Sequence, residues 1–399
     1  MHRFLDFQLR KEIKLWPLAL NQTFRGVAVS LLGLFSSIYI YKTIFQLTGQ
    51  QKLAFLAVFT YFLVLYVFKF IGNLFAEEIS LRLGLKKPMY LGLISFAVCF
   101  LLMYFSSSLV WLIFLAAPFW GMATGFYWFG SHGLMVKLGR EGHFGRESGL
   151  VSLVTTLPLI GVPFLGGILI RLVGYQALFG SALIFILLSA LALSRIKEVK
   201  TRHDTNFIEV FKLFKTHKGP LSGYMGDNIA ASTYSIVIPL YLFLILEKEL
   251  SLGGFFSLSM VVVALLNIII GRWADVRGNR GLVVYGSIVQ AFVWLARIFT
   301  RNIGAFFSLD IADRITDTMV AIPLQVSTYQ KALDGHSTGR AVLFREISYT
   351  IGGFITCLIL IIWVILGIEL KWFFLVSVVA SFLPILSVKK VRGFKWLKK

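Results

Sequence analysis

Apolar residues in this chain do not alternate, and they do not recur only at every third or fourth position. They come in long, nearly unbroken runs separated by short polar connections. Twelve runs are long enough to cross a hydrocarbon layer roughly 30 Å thick. They cover 24–44, 53–76, 88–108, 109–136, 147–170 and 175–195, then 223–246, 252–274, 282–300, 303–331, 342–366 and 370–388. Each predicts a helix, because an open strand would leave backbone N–H and C=O groups without partners in lipid. Pro118, Pro158, Pro163, Pro239 and Pro323 fall inside the runs, which membrane helices tolerate better than soluble ones do. The longest polar stretch, 195–219, divides the runs six and six. Within it Phe207, Val210, Phe211 and Phe214 recur at helical spacing between Lys212, Lys215 and Lys218, which predicts an amphipathic helix on the inner leaflet. The stretch 4–20 is a second candidate of the same kind.

Composition agrees with the pattern. Of 399 residues 57% are apolar and 15% charged, with a mean hydropathy of +0.81. A soluble chain carries about a quarter charged residues, so the soluble class is excluded. The net charge of +20 is distributed by topology. Thirty of the 39 Lys and Arg residues fall on one side of the predicted spans and seven on the other, which places both termini in the cytoplasm. The charge therefore reads as orientation and attraction to anionic lipid, and no nucleic acid is expected. Cys99 and Cys357 lie within apolar runs and read as small core hydrophobes. No metal spacing, phosphate-cradling loop or nucleophile elbow is present, so no cofactor and no enzymatic activity are expected. No signal-peptide cleavage site follows the first run, which is expected to remain as an anchor.

The two halves repeat. Gly72 and Gly271 stand 199 positions apart at corresponding connections, and so do the pairs Arg146-Glu147 and Arg345-Glu346. A duplicated unit with a site between its copies is a transporter pattern. The segment Gly271-Arg272-Trp273-Ala274-Asp275-Val276-Arg277-Gly278-Asn279-Arg280 resembles the loop signature of the major facilitator superfamily of transporters, with Gly271, Asp275, Gly278 and Arg280 in place and Val276 where a basic residue is usual. Its first-half counterpart begins at Gly72 but carries Ala76 at the acidic position, followed by Glu77 and Glu78. The resemblance covers essentially the whole chain. It implies an all-α integral membrane protein of twelve transmembrane helices in two six-helix bundles. The bundles would comprise 1–195, with a cytoplasmic N-terminal segment, and 223–399, with a basic cytoplasmic tail, joined by a cytoplasmic linker over 196–222. It also implies that Asp275 meets the start of span five near Arg146 and Glu147, and that Glu77 or Glu78 pairs with the start of span eleven around Arg345 and Glu346. Pro163, Gly166 and Gly167 match part of the family's antiporter signature. Span four has Gly121 and Gly125 but lacks the arginine that often assists proton coupling.

Ionisable groups inside spans are costly and so mark candidate function. Asp310, Asp313, Arg314 and Asp317 share one face of span ten, which faces either the cavity or a partner helix. Arg314 is able to pair with Asp310 and leave Asp313 or Asp317 to titrate. Asp227 and Asn228 open span seven, where Asp227 reads equally as a carboxylate at a helix N-terminus. His132 follows Tyr127 and Trp128 in span four and serves either as a proton relay or as a packed histidine. Ser36 and Ser37 form part of an uncharged stripe in span one. Lys69 reads as a cation reaching towards head groups. The resulting expectation is a proton-coupled secondary transporter of a small organic solute, acting as a monomer in a bacterial or archaeal plasma membrane. Its partners are the lipid bilayer, the solute and protons. The reading leans to efflux antiport of amphipathic or cationic compounds. Uptake symport, and a non-transporting lipid-handling or sensory protein of the same fold, stay open as alternatives.

Overall fold

The computed structural model describes residues 15–139, 143–200, 207–261, 279–333 and 338–388, and among these the chain is helical with no strand. The first half holds α1 (Trp16–Thr48), α2 (Gln51–Leu83), α3 (Lys86–Phe105), α4 (Leu112–Leu138), α5 (Phe144–Leu159), α6 (Val162–Leu172) and α7 (Tyr175–Ser194). The connecting segment folds as α8 (Phe207–Thr216). The second half holds α9 (Lys218–Ser232), a π turn (Thr233–Val237), α10 (Ile238–Leu246), α11 (Glu249–Val261), α12 (Asn279–Phe299), α13 (Ile303–Leu333) and α14 (Thr338–Ile365), then α15 (Phe374–Phe382) and α16 (Pro384–Ser387) after a 3-10 turn at Leu370–Phe373.

Ten helical stretches among the described residues are long and apolar enough to cross a membrane. Two expected spans fall outside that set for different reasons. The eighth is described only through Val261, and α13, although 31 residues long, carries the four charges of span ten. Proline breaks account for two irregularities. The fifth span divides at Ile160 and Gly161 ahead of Pro163, and the backbone N–H of Phe164, released from the helix ladder, donates to Ser257 Oγ at 3.0 Å. In the seventh span the π turn directly precedes Pro239.

Several helices run beyond their apolar cores. α1 begins at Trp16 rather than 24, α2 continues to Leu83 rather than 76, and α14 starts at Thr338 rather than 342. The added turns are polar, and many of their polar groups are buried among neighbouring helices. Gly72 therefore does not open a loop. It lies inside α2, where a Cβ would come within 3.0 Å of the Met122 backbone. Gly121 and Gly125 of α4 make the same crossing close: a Cβ at Gly121 would sit 2.2 Å from the Leu65 carbonyl oxygen, and one at Gly125 2.6 Å from that of Lys69. This crossing lays Lys69 beside α4.

The halves meet along α2 against α14, α4 against α14, α5 against α13 and α1 against α10. The helix expected over the connecting segment forms, but its Phe214 stacks on Phe344 of α14 at 5.0 Å and Val210 is buried, so part of its apolar face covers protein rather than lipid.

Candidate functional site

A cavity of about 380 Å³ lies between the halves. From the first half it is lined by Gln22, Lys69, Trp128, His132, Met135, Ser148, Val151, Ser152 and Thr155. From the second half come Asn228, Gln325, Tyr329, Arg345, Glu346 and Tyr349. Seven helices therefore contribute side chains.

Its charged centre crosses the interface. Lys69 Nζ of α2 stands 3.8 Å from Glu346 Oε2 of α14, and both side chains are nearly fully buried. The neighbouring Arg345 donates from Nη1 to the Glu346 carboxylate and lies 2.8 Å from His132 Nε2. With Nε2 accepting from arginine, the ring proton belongs on Nδ1, which donates to the Tyr329 hydroxyl at 2.7 Å. Gln325 donates to the same hydroxyl. Glu346 Oε1 is also 3.5 Å from His132 Nε2. The Arg345 guanidinium lies over the Tyr349 ring at 4.4 Å, and the Tyr349 hydroxyl donates to Asp227. Behind the wall, Arg25 sits against Trp128, Tyr127 and Phe96 at 4.8, 4.1 and 5.0 Å.

The placement of the candidates is mixed. Trp128, His132, Asn228, Arg345 and Glu346 line the cavity. Arg345 and Glu346 do so from inside α14, about two turns after its start at Thr338. Asp227 is not a carboxylate at a helix N-terminus. Since α9 starts at Lys218, it lies two turns into the helix, behind Tyr349. Lys69 does not reach for head groups, because Glu346 holds it within the protein. Tyr127 is fully buried with its hydroxyl donating to Asn21 Oδ1 at 2.6 Å, and Ser36 and Ser37 are fully buried away from the cavity. These three belong to packing, since the turn of the helix that presents Trp128 and His132 to the cavity points Tyr127 the other way.

The span-ten cluster also lies apart from the cavity lining. Arg297 of α12, fully buried, pairs with Asp313 at 3.0 Å and approaches Asp310 at 3.6 Å. Arg314 pairs with Asp310 at 3.0 Å, as its spacing predicts, and Tyr234 donates to Asp310 at 2.9 Å. Gln290 completes the surround of Asp313 at 3.4 Å. Asp313 is thus committed to α12, and Asp317, near the middle of α13, is the carboxylate that neither arginine engages at ion-pair distance. Its electrostatic neighbours include Asp227.

Of the residues of the loop signatures and their expected partners, Glu78 pairs with Arg82 on its own helix rather than with Arg345. Glu77 and Glu147 are buried, and Arg280 is exposed at the start of its helix. Gly271, Asp275, Gly278 and the side chain of Arg146 lie outside the described residues. Sequence reasoning missed Gln22, Lys69, Gln325, Tyr329 and Tyr349 as lining residues. Arg25 and Arg297 entered it only through the count of basic residues on the two sides.

At the opposite end, Lys42 of α1 pairs with Glu249 at the start of α11 at 2.6 Å, and Tyr175 donates to the same oxygen at 3.1 Å. Partial burial pushes the Glu249 carboxyl up, but the hydrogen bond from Lys42 and its charge outweigh this, and the group is held below the ordinary glutamate range. Beside the pair, a Cβ at Gly167 would come within 2.8 Å of the Glu249 backbone, and one at Gly253 within 2.2 Å of the Pro163 carbonyl oxygen. This end is closed, with the cavity displaced towards the basic side.

No curated protein matches the chain at the level of sequence. The human organic anion transporter MFSD10 (TETRAN), known from a crystal structure, superposes with a TM-score of 0.70 over 94% of this chain and 98% of its own, at 13% identity, a likeness of fold alone. The family model described as Major Facilitator Superfamily matches residues 18–356, from the first span into the eleventh. With that match laid over ten membrane-length helical stretches and a polar cavity between repeated halves, the chain belongs to the Major Facilitator Superfamily, an integral membrane protein of transporter rather than enzyme type.

Proposed function

We infer that the protein is a proton-coupled carrier of a small organic solute, working by alternating access between six-helix halves over 1–195 and 223–399. The observation that carries this is the cavity itself, which takes its walls from both halves and places ionisable groups of each, Lys69 and His132 against Arg345 and Glu346, around one space. Its polar walls support a solute site over the closed apolar interior expected of a non-transporting sensory or lipid-handling protein. Asp317 carries the coupling proton in this reading, because Arg314 holds Asp310 and Arg297 of α12 holds Asp313, while neither arginine engages Asp317 at ion-pair distance. Export is the proposed direction, on the partial antiporter signature of span five. Uptake differs in which gradient drives the flux.

The test uses the full chain in proteoliposomes holding a fluorescent pH indicator, challenged with a panel of organic acids, amines and neutral compounds. Solute entry is expected to move protons, and Asp317→Asn is expected to abolish proton movement while leaving solute exchange. Solute flux that ignores an imposed pH gradient overturns the coupling, and the sign of the gradient that accelerates flux decides between export and uptake.

A further inference from the structure

We propose that the solute is an organic anion that takes the place of the Glu346 carboxylate between Lys69 and Arg345. The proposal rests on the reading of the cavity as a solute site and names its solute class, against the cationic compounds expected from the sequence.

The first reason is the ratio of charges at the wall. Two cations, Lys69 and Arg345, face the cavity with one carboxylate, Glu346, between them. That carboxylate is divided. Its Oε1 serves Arg345 and approaches His132, which leaves Oε2 at 3.8 Å from Lys69, the outer limit of an ion pair. A buried ammonium held so loosely has much to gain from a closer anion, since charges excluded from water interact strongly with each other.

The second reason is that two arginines at and behind the cavity wall each keep a buried donor without an acceptor. The Nε groups of Arg345 and Arg25 are buried with no acceptor among the described residues. Among the described residues Arg25 has no carboxylate partner at ion-pair distance, and aromatic rings, Trp128 among them, surround its guanidinium. A buried cation without a counter-ion is costly. An anion in the cavity would lower that cost for Lys69, Arg345 and, through the Trp128 wall, Arg25.

The third reason is shape. Trp128, Tyr329 and Tyr349 supply flat apolar wall beside the cations, while Gln22, Asn228 and Gln325 supply neutral hydrogen-bonding groups. A carboxylate or sulfonate on an aromatic body fits such walls, its acid group between Lys69 and Arg345 and its ring against the aromatic side chains. Because Lys69 belongs to α2 and Arg345 to α14, the bound anion bridges the two halves as Glu346 does without it.

The proposal is tested by binding, read as thermal stabilisation of the purified full chain and by calorimetry. The probes are matched sets: benzoate and naphthalene-2-sulfonate, their neutral amides, and benzylamine. Acids are expected to bind and the amides and amine not. Lys69→Gln and Arg345→Gln should each weaken acid binding about tenfold or more, the usual scale for one charged hydrogen-bonding partner. Glu346→Gln, which removes the internal competitor, should tighten it by a similar factor, a gain that misfolding cannot produce. Binding of the amine or amides as tight as that of the acids, absence of binding by any acid, or weaker acid binding by Glu346→Gln overturns the proposal. Failure of this experiment alongside pH-dependent transport of an amine sinks the solute class and leaves the transporter reading, whereas acid binding without any flux does the reverse.

Discussion

Arg297 and Asp313 show how much depends on a partner that lies across a helix boundary. Both are buried, 3.0 Å apart, with Asp310 and Gln290 completing the surround. Removing one member of such a buried pair strands the other, at a cost of about 3–5 kcal/mol. Arg297→Gln is therefore expected to lower the melting temperature of the purified protein sharply. The double variant Arg297→Gln/Asp313→Asn is expected to cost less than the sum of the singles, because neither group is then left as an unpaired charge. Additive losses would show that the pair is not coupled. The pairing of Arg314 with Asp310 was legible in the sequence because four residues on one helix fix their neighbourhood. Arg297 was not legible, since a cation near the end of an apolar run looks the same whether it turns to solvent or into a bundle. The same ambiguity hid Lys69, whose partner Glu346 lies 277 positions away. His132 could be nominated by its position in a membrane span, but its link to Tyr329 and Arg345 could not be foreseen.

At the level of the helices, the apolar runs located the elements while missing their ends. A run stops where charge begins, but α1, α2 and α14 continue through polar turns that the protein, rather than lipid, surrounds. The consequence for the site is direct, because Gln22 belongs to the added turns of α1 and so escaped the sequence reading of the cavity lining. The glycines of α4 carry a comparable lesson. They were visible as residues of the family pattern, yet their work is to bring the backbones of α2 and α4 together. Gly125→Val is expected to destabilise the chain by at least the roughly 1–3 kcal/mol typical of overpacking, because its Cβ would meet the Lys69 carbonyl and neither backbone is able to withdraw freely. It should also weaken solute binding by displacing Lys69. Gly33→Ala in α1 is the control. A Cβ there meets nothing within 4 Å, and the change should stabilise the helix by about 0.5–1 kcal/mol. Melting temperatures of the two variants check the contrast, and equal shifts would mean that the α2–α4 contact is not tight.

For the whole molecule, the closed end determines which state is occupied. Lys42 and Tyr175 of the first half grip Glu249 of the second, and the backbone contacts at Gly167 and Gly253 leave no room between the halves there. Of these links only the ion pair depends on pH. The Glu249 carboxyl is held below the ordinary glutamate range while the pair is made, so opening this end raises its proton affinity. A group whose affinity for protons is lower in the closed state favours that state above its free pKa of roughly 4.3, and the advantage is lost as pH falls through the depressed value. The balance between closed and open should therefore be flat from pH 8 to 5 and move towards open only below that range. Because Lys42 is partly exposed, the pair contributes modestly, and salt should weaken it. Spin labels at Leu47→Cys and Leu366→Cys, both exposed beyond their helices' buried segments, report the separation of the halves at this end. In the unaltered pair the long-distance population should stay small at neutral pH and grow under acid. Glu249→Gln should show that larger open population already at pH 7 and lose the acid response. A distance distribution that shifts between pH 8 and 6, or one that ignores Glu249→Gln, would place the control of closure on buried ionisable groups nearer the cavity instead of on this latch.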